Sequence, residues 1–199
     1  MASSRNRPAT RARVISAAVE VFAERGYAGA SIESIAQASG MTIGALYSNF
    51  SGKKELFLHA LRASVGRQES EVGAAVATGS DSSAEQRLID DGIRYMRGVE
   101  RDPAGFRLLL WSLLQAQTDD DVREVVIEVL REQRAVQESI LADLAAERGD
   151  LVVSPRDGAA ALSAMAIGFE VQRMVDPRKV SKAEGVRLLQ AYVASLPAD

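Results

Sequence analysis

Thr42, Tyr47 and Lys53 bring a hydroxyl with a methyl, a phenol on a rigid ring and an ammonium into one short stretch. None of them is a nucleophile or general base unaided, and the chain supplies no helper. It has a single histidine, His59, and no cysteine, so a histidine cluster, a thiolate nucleophile and a zinc ligand set are all missing. The acids Asp119, Asp120 and Asp121 fall at a predicted helix start, where the helix dipole accounts for them without a bound cation. No catalytic residue, metal site or cofactor is expected, and an enzyme reading lacks parts. Holding a polyanion is within reach. Tyr47 is a hydroxyl donor, and Lys53 sits where its own charge and a helix N-terminus both favour phosphate. Thr42 heads a short predicted helix, and its hydroxyl and methyl suit a polar base edge or a thymine methyl.

The stretch Ser31 to Phe50, SIESIAQASGMTIGALYSNF, reads as helix, glycine turn, helix. Ser31 can cap the first of these helices, Gly40 makes the turn, and the second helix is expected from Thr42 to Phe50. Such a pair suits the major groove, about 12 Å wide, which admits one helix braced by another. Ala38, Gly44 and Ala45 are small enough for close backbone approach. Ahead of it, Val14, Ile15, Ala18, Val21 and Phe22 mark one face of a helix from Thr10 to Gly26. After it, Ser51 or Gly52 opens a fourth helix burying Leu56, Phe57, Ala60 and Leu61. Further helices are expected at 84–101, 103–117, 120–148, 155–175 and 181–195, broken near Pro103, Asp119, Gly149, Pro155 and Pro177. The only period-two stretch, Leu151 to Val153, is too short to count, so the expectation is an all-α protein of about nine helices.

Apolar residues make up 47% of the 199 positions and charged ones 26%, the balance of an ordered globular chain. The net charge of −3 hides an asymmetry. Residues 1–62 hold eight Lys or Arg against four acids, an excess of +4, which leaves 16 basic and 23 acidic groups, or −7, for the rest. A basic headpiece on an acidic body can meet phosphates at one end and repel them at the other. No window approaches the ~18 apolar residues of a membrane span, and the basic N-terminus is followed by Glu20 and Glu24, so no signal peptide, no membrane and a cytoplasmic location are expected.

From Val14 to Leu61 the motifs AAVEVFAERGY, IAQASGMT and GALYSNFSGKKEL resemble the DNA-binding signature of the TetR/AcrR family almost position by position. Farther on, GFEVQRMVDP (Gly168 to Pro177) looks like that family's penultimate helix and its end. The resemblance implies a three-helix helix-turn-helix domain over 1–62 and a helical ligand-binding and dimerisation domain over 63–199. It places Thr42, Gly44, Tyr47 and Lys53 on positions that commonly touch double-stranded operator DNA, with Ser31, Ile43 and Ser48 beside them as candidates. Ile43 departs from the long polar residue many relatives carry and offers only apolar contact, and Asn49 replaces a more usual histidine. Arg5 and Arg7 are expected on an arm ahead of the first helix, able to enter a minor groove. Lys54, Arg11 and Arg13 read as solvated charges, and His59 as a helix-surface residue.

For the body, the resemblance implies a cavity taking a small, largely apolar effector, with Met96, Phe106, Trp111, Gln115, Met165 and Phe169 as candidate lining. Plain core packing explains the same residues. The last two helices carry small and apolar faces, among them Ala160, Ala164, Gly168, Leu188 and Leu189, and in relatives they form an intersubunit four-helix bundle. A two-fold dimer would set its reading helices about 34 Å apart and call for a near-palindromic operator. The expected function is an effector-released, DNA-binding repressor. The alternative is a helical ligand-binding or interaction module that does not bind an operator.

Overall fold

The computed structural model describes residues 7–65 and 82–198, and the regular elements among them are helices. They are α1 (Arg7–Gly29), α2 (Ile32–Ser39), α3 (Ile43–Tyr47), α4 (Lys53–Ser64), α5 (Ala84–Arg101), α6 (Pro103–Gln115), α7 (Asp120–Arg148), α8 (Pro155–Val175) and α9 (Lys182–Ala194). An isolated bridge, Leu151 to Pro197, is the sole β pairing among the described residues. No described helix is long and apolar enough to cross a membrane. The chain forms two compact units, residues 1–68 with 101–129 and residues 69–100 with 130–199, so α6 and the first turns of α7 pack with α1 to α4.

In the first unit, α1 starts at Arg7, upstream of the expected Thr10. Pro8 lies in the opening turn, where its missing N–H leaves no bond unmade. Arg7 is therefore helical rather than on a preceding arm, and Arg5 lies outside the described residues. The regular part of α1 breaks at Gly26, as its sequence suggests, with φ 69° and ψ 173°, a region essentially closed to other residues. The ring of Trp111 on α6 fills the space beside it, because a Cβ on Gly26 would come within 2.6 Å of that ring. Phe22, Tyr27 and Phe57 complete an aromatic cluster, with Phe22 and Phe57 centroids 5.0 Å apart and Trp111 edge-on to Phe57 at 6.4 Å. Around it Val14, Ala18, Ile35, Leu46, Leu56, Leu61, Leu108 and Leu109 are buried. Close approach of α4 and α6 depends on Gly105, whose Cβ would lie 2.8 Å from that of Ser64.

In the second unit, Ala84, Leu88, Ile89, Ile140, Leu141, Leu144, Ala159, Leu162, Val193 and Leu196 form one buried cluster. Its helices start on side-chain caps: Ser154 accepts from the Asp157 amide with Pro155 in the first turn of α8, and Ser181 accepts from Glu184 at the head of α9. Two glycines act as notches: a Cβ on Gly92 would run into the end of the Leu189 side chain and one on Gly185 into the Phe169 ring, so α9 lies close to α5 and α8 at these positions.

Candidate functional site

The helix-turn-helix is built from its caps inward. Ser31 accepts from the Ser34 amide while the Ser34 hydroxyl accepts from the Ser31 amide, a reciprocal capping box that begins α2. Gly40 ends it in the left-handed conformation, φ 66°, donating back to Ala36 and Gln37 carbonyls. Thr42 then caps α3 by accepting from the Ala45 amide at 3.1 Å. α3 closes at Tyr47, earlier than the expected Phe50, because Ser48 caps it and Asn49 Nδ2 donates to the Ala45 carbonyl at 2.8 Å. Asn49's side-chain amide is thereby engaged with the end of α3. Leu46 is 1% exposed and pins this helix to the unit, while Ile43 is 43% and Tyr47 57% exposed. Thr42, Gly44 and Ser48 are exposed on the same short rod. A Cβ on Gly44 would meet no atom within 4 Å, so nothing in the protein requires a glycine there. Lys53, half-buried at the start of α4, holds its ammonium 4.5 Å over the Tyr27 ring.

The second unit contains a cavity of about 470 Å³, within the range of small-molecule sites. Apolar side chains from α5, α8 and α9 dominate its lining, including Leu88, Tyr95, Met96, Met165, Phe169, Leu188 and Leu189, and α7 contributes Gln133 and Gln137. Asp91 is the sole lining side chain that carries a formal charge at neutral pH among the described residues. Of the expected lining residues, Met96, Met165 and Phe169 come together here. Phe106, Trp111 and Gln115 do not line it. All three are on α6 in the first unit, where Phe106 is core and Trp111 stands against Gly26.

Two family models cover most of the chain. The tetR family of bacterial regulatory proteins matches residues 14–60, and the C-terminal domain of BetI-type transcriptional repressors matches 84–198, more than half the length. The chain belongs to the TetR family. Among curated relatives, the HTH-type transcriptional activator FasR of Mycolicibacterium smegmatis is 36% identical over 99 residues, 50% of this chain and 44% of that one. The chain spans about half the length of the curated relatives it matches. Among solved structures, a Pseudomonas aeruginosa PAO1 protein described as a transcriptional regulator superposes with TM-score 0.73 at 23% identity, covering 92% of this chain and 88% of that one. FadR of Bacillus subtilis, solved with stearoyl-CoA, gives TM-score 0.69 at 18% identity over 92% and 95% of the two chains. At these identities both share the fold.

In this TetR-family regulator, α2 and α3 form the DNA-binding helix-turn-helix, and its bracing uses residues that the sequence did not single out. Arg11, Arg13 and Lys54 are not merely solvated. Arg11 donates to the Asn49 carbonyl at 2.7 Å, lies 4.5 Å over the Phe50 ring and approaches His59 Nε2 at 2.6 Å. The same nitrogen lies 3.5 Å from Glu55 Oε1. His59 is thus 8% exposed instead of lying on the helix surface. Arg13 donates to the Ser39 carbonyl at 2.8 Å, bracing the turn. Ser51's amide donates to Glu55 Oε2 at 2.5 Å, and the hydrogen bonds from Ser51 hold the Glu55 carboxyl below its ordinary pKa. Lys54 meets Asp121 at 3.0 Å and Glu124 at 2.6 Å, and Arg62 meets Glu128 at 2.8 Å. The three acids repeat at i, i+3 and i+7 on α7, a stripe visible in the sequence, but only the fold reveals the basic helix opposite.

Proposed function

We propose that this TetR-family chain is a repressor that binds a near-palindromic operator as a homodimer and leaves it when a small, largely apolar effector enters the cavity of the second unit. The observation that carries the DNA half is the outward face of α3: Thr42, Ile43, Gly44, Tyr47 and Ser48 are exposed around the buried anchor Leu46. Thr42 and Ile43 would meet base edges, Gly44 would let the backbone come close, and Tyr47, Ser48, Lys53 and Ser31 would hold phosphates. Arg5 and Arg7 remain candidates for a neighbouring groove. Ile43 makes part of the readout apolar, favouring contact with thymine methyls.

The reading module is 1–62 and the sensing and dimerising module 63–199, with Met96, Met165 and Phe169 lining the effector site. Repression is favoured by the description of the C-terminal match, although the FasR relative is an activator. For the dimer, Met174, Val175 and Leu188 on α8 and α9 expose apolar surface, with Val175 at 78%. A second copy through these two helices buries that surface, and an isologous contact explains why the operator would be palindromic.

Selection of bound sequences from a random duplex pool, followed by anisotropy titration at several salt concentrations, tests the reading. The expected result is one enriched near-palindrome bound by a dimer, with affinity falling steeply as salt rises. No enrichment, and no binding to any duplex at low salt, overturns it. A reporter driven from the selected site then separates the two regulatory signs: repression predicts higher expression when the chain is deleted.

A further inference from the structure

The outward face of α3 lacks the side chains that read bases by paired hydrogen bonds. In the major groove guanine is recognised by arginine or lysine and adenine by asparagine or glutamine, each through two bonds at once. The rod from Thr42 to Ser48 carries none of these, its exposed residues being Thr42, Ile43, Gly44, Tyr47 and Ser48. Asn49 follows it, but its amide nitrogen donates back to the Ala45 carbonyl at 2.8 Å and to the Ser48 hydroxyl oxygen at 3.2 Å. Arg11 and Arg13 reach the chain after and before the rod and donate to backbone there, at the Asn49 and Ser39 carbonyls. The motif's other amide, Gln37, is on α2, the bracing helix.

What the rod offers instead is methyl groups. Ile43, the first residue of α3, is exposed although its side chain is wholly apolar, and the opening residues of a reading helix are the ones that meet base edges. Thr42 adds a second methyl beside it, its hydroxyl oxygen being taken up by the Ala45 amide at 3.1 Å. Gly44 has no side chain to hold the rod away, so Ile43 can reach the bases. Base edges in this groove present one apolar group, the C5 methyl of thymine. A cytosine methylated at C5 carries the same methyl at the same edge, with an N4 donor beside it where thymine has an O4 acceptor. A side chain that hydrogen-bonds tells these two bases apart, and isoleucine cannot. Contact with either takes one methyl group out of water, an effect of about fourfold in affinity.

Resting on the operator reading above, we propose that Ile43 makes this chain a reader of 5-methylpyrimidines: each half-site holds a thymine recognised by its C5 methyl, and 5-methylcytosine can stand in for it. Methylation of a cytosine at that position therefore raises affinity. The test starts from the selected operator and replaces each thymine in turn, in both half-sites together, by uracil, cytosine or 5-methylcytosine, with the matching base opposite. Fluorescence anisotropy gives the affinities of the full chain as wild type and as Ile43→Ala, and melting curves check the variant's fold. At one thymine or more per half-site, the wild type should bind thymine more tightly than uracil, and 5-methylcytosine more tightly than cytosine, by about fourfold per half-site. In Ile43→Ala both ratios at that position should fall to about twofold or less. An effect of the missing methyl on the shape of the duplex survives in the variant, and a merely structural isoleucine lowers affinity for all four bases alike. Four outcomes overturn the inference: ratios near one at every thymine, 5-methylcytosine no better than cytosine, ratios unchanged in Ile43→Ala, or a selected half-site without thymine. In each of them, tight binding of the unmodified duplex still upholds the operator reading. If no duplex is selected, both fall together. Should the variant not fold, the four wild-type affinities decide.

Discussion

A side chain added at Gly44 meets no protein atom, so the residue's smallness serves whatever approaches α3 from outside. Gly44→Leu should leave folding intact or improve it by up to about 1 kcal/mol, since leucine is the better helix former. It should also weaken operator binding at least about tenfold by holding the helix away from the groove. Thermal melting and anisotropy together check this, and unchanged affinity would remove α3 from the interface. Tyr47→Phe takes away one exposed hydroxyl and should weaken operator binding about tenfold or more, the worth of one hydrogen bond to a charged group, with dimerisation unaffected. Lys53→Ala should lower affinity across sequences and reduce the salt slope by about one, read from titrations at several ionic strengths. The types and order of these residues were legible because each lies within a few positions of a cap or turn that sets its direction. The bonds made by Arg11 and Lys54 were not, since their partners lie 38 to 70 positions away. A surface cation and a paired one look the same until the helices are packed.

Among the elements, the α1 break shows two constraints converging on one residue. Gly26 needs a backbone conformation other residues avoid, and Trp111 occupies the space where a Cβ would go. Gly26→Ala should therefore destabilise the chain by about 2–4 kcal/mol, combining backbone strain with overpacking, as measured by denaturant unfolding. Shortening the obstacle as well, in Gly26→Ala with Trp111→Leu, should recover only the steric part. At the head of α4, the Glu55 carboxyl has its pKa depressed by Ser51. A depressed carboxylate contributes stability above its unfolded pKa and loses it as pH falls through the folded value. Glu55→Gln should accordingly lower stability at neutral pH and lose less of it on acidification than the wild type, seen by comparing melting temperatures at pH 7 and pH 3. Helix existence and most boundaries were readable from apolar spacing, glycines and prolines. The early start of α1 and early end of α3 were not: Thr10 reads as the cap of α1 although the helix already runs from Arg7, and Asn49 reads as a continuing helical residue until its bond to the Ala45 carbonyl is seen.

For the whole molecule, the sequence places its change of charge after residue 62, but packing redistributes it. Acids of α7 neutralise Lys54 and Arg62, so the basic excess open to DNA rests with other residues. Apolar pattern could not separate cavity from core either: Phe106 and Met96 are equally hydrophobic in the text, yet one fills the first unit's interior and the other lines a cavity. Assembly predicts a further outcome. Val175→Glu with Leu188→Glu puts charge on two exposed apolar positions of α8 and α9 and should yield a folded monomer with operator affinity reduced about a hundredfold or more, since two half-sites are no longer linked. Sedimentation and circular dichroism check this, and a persisting dimer would place the interface elsewhere. Trp111 is the chain's single tryptophan, and it stands at the Gly26 break without lining the cavity. Indole emission is therefore a built-in optical gauge of the DNA-reading unit: a colourless effector held in the second unit's cavity, as proposed, would shift it only by acting on that unit at a distance from the fluorophore.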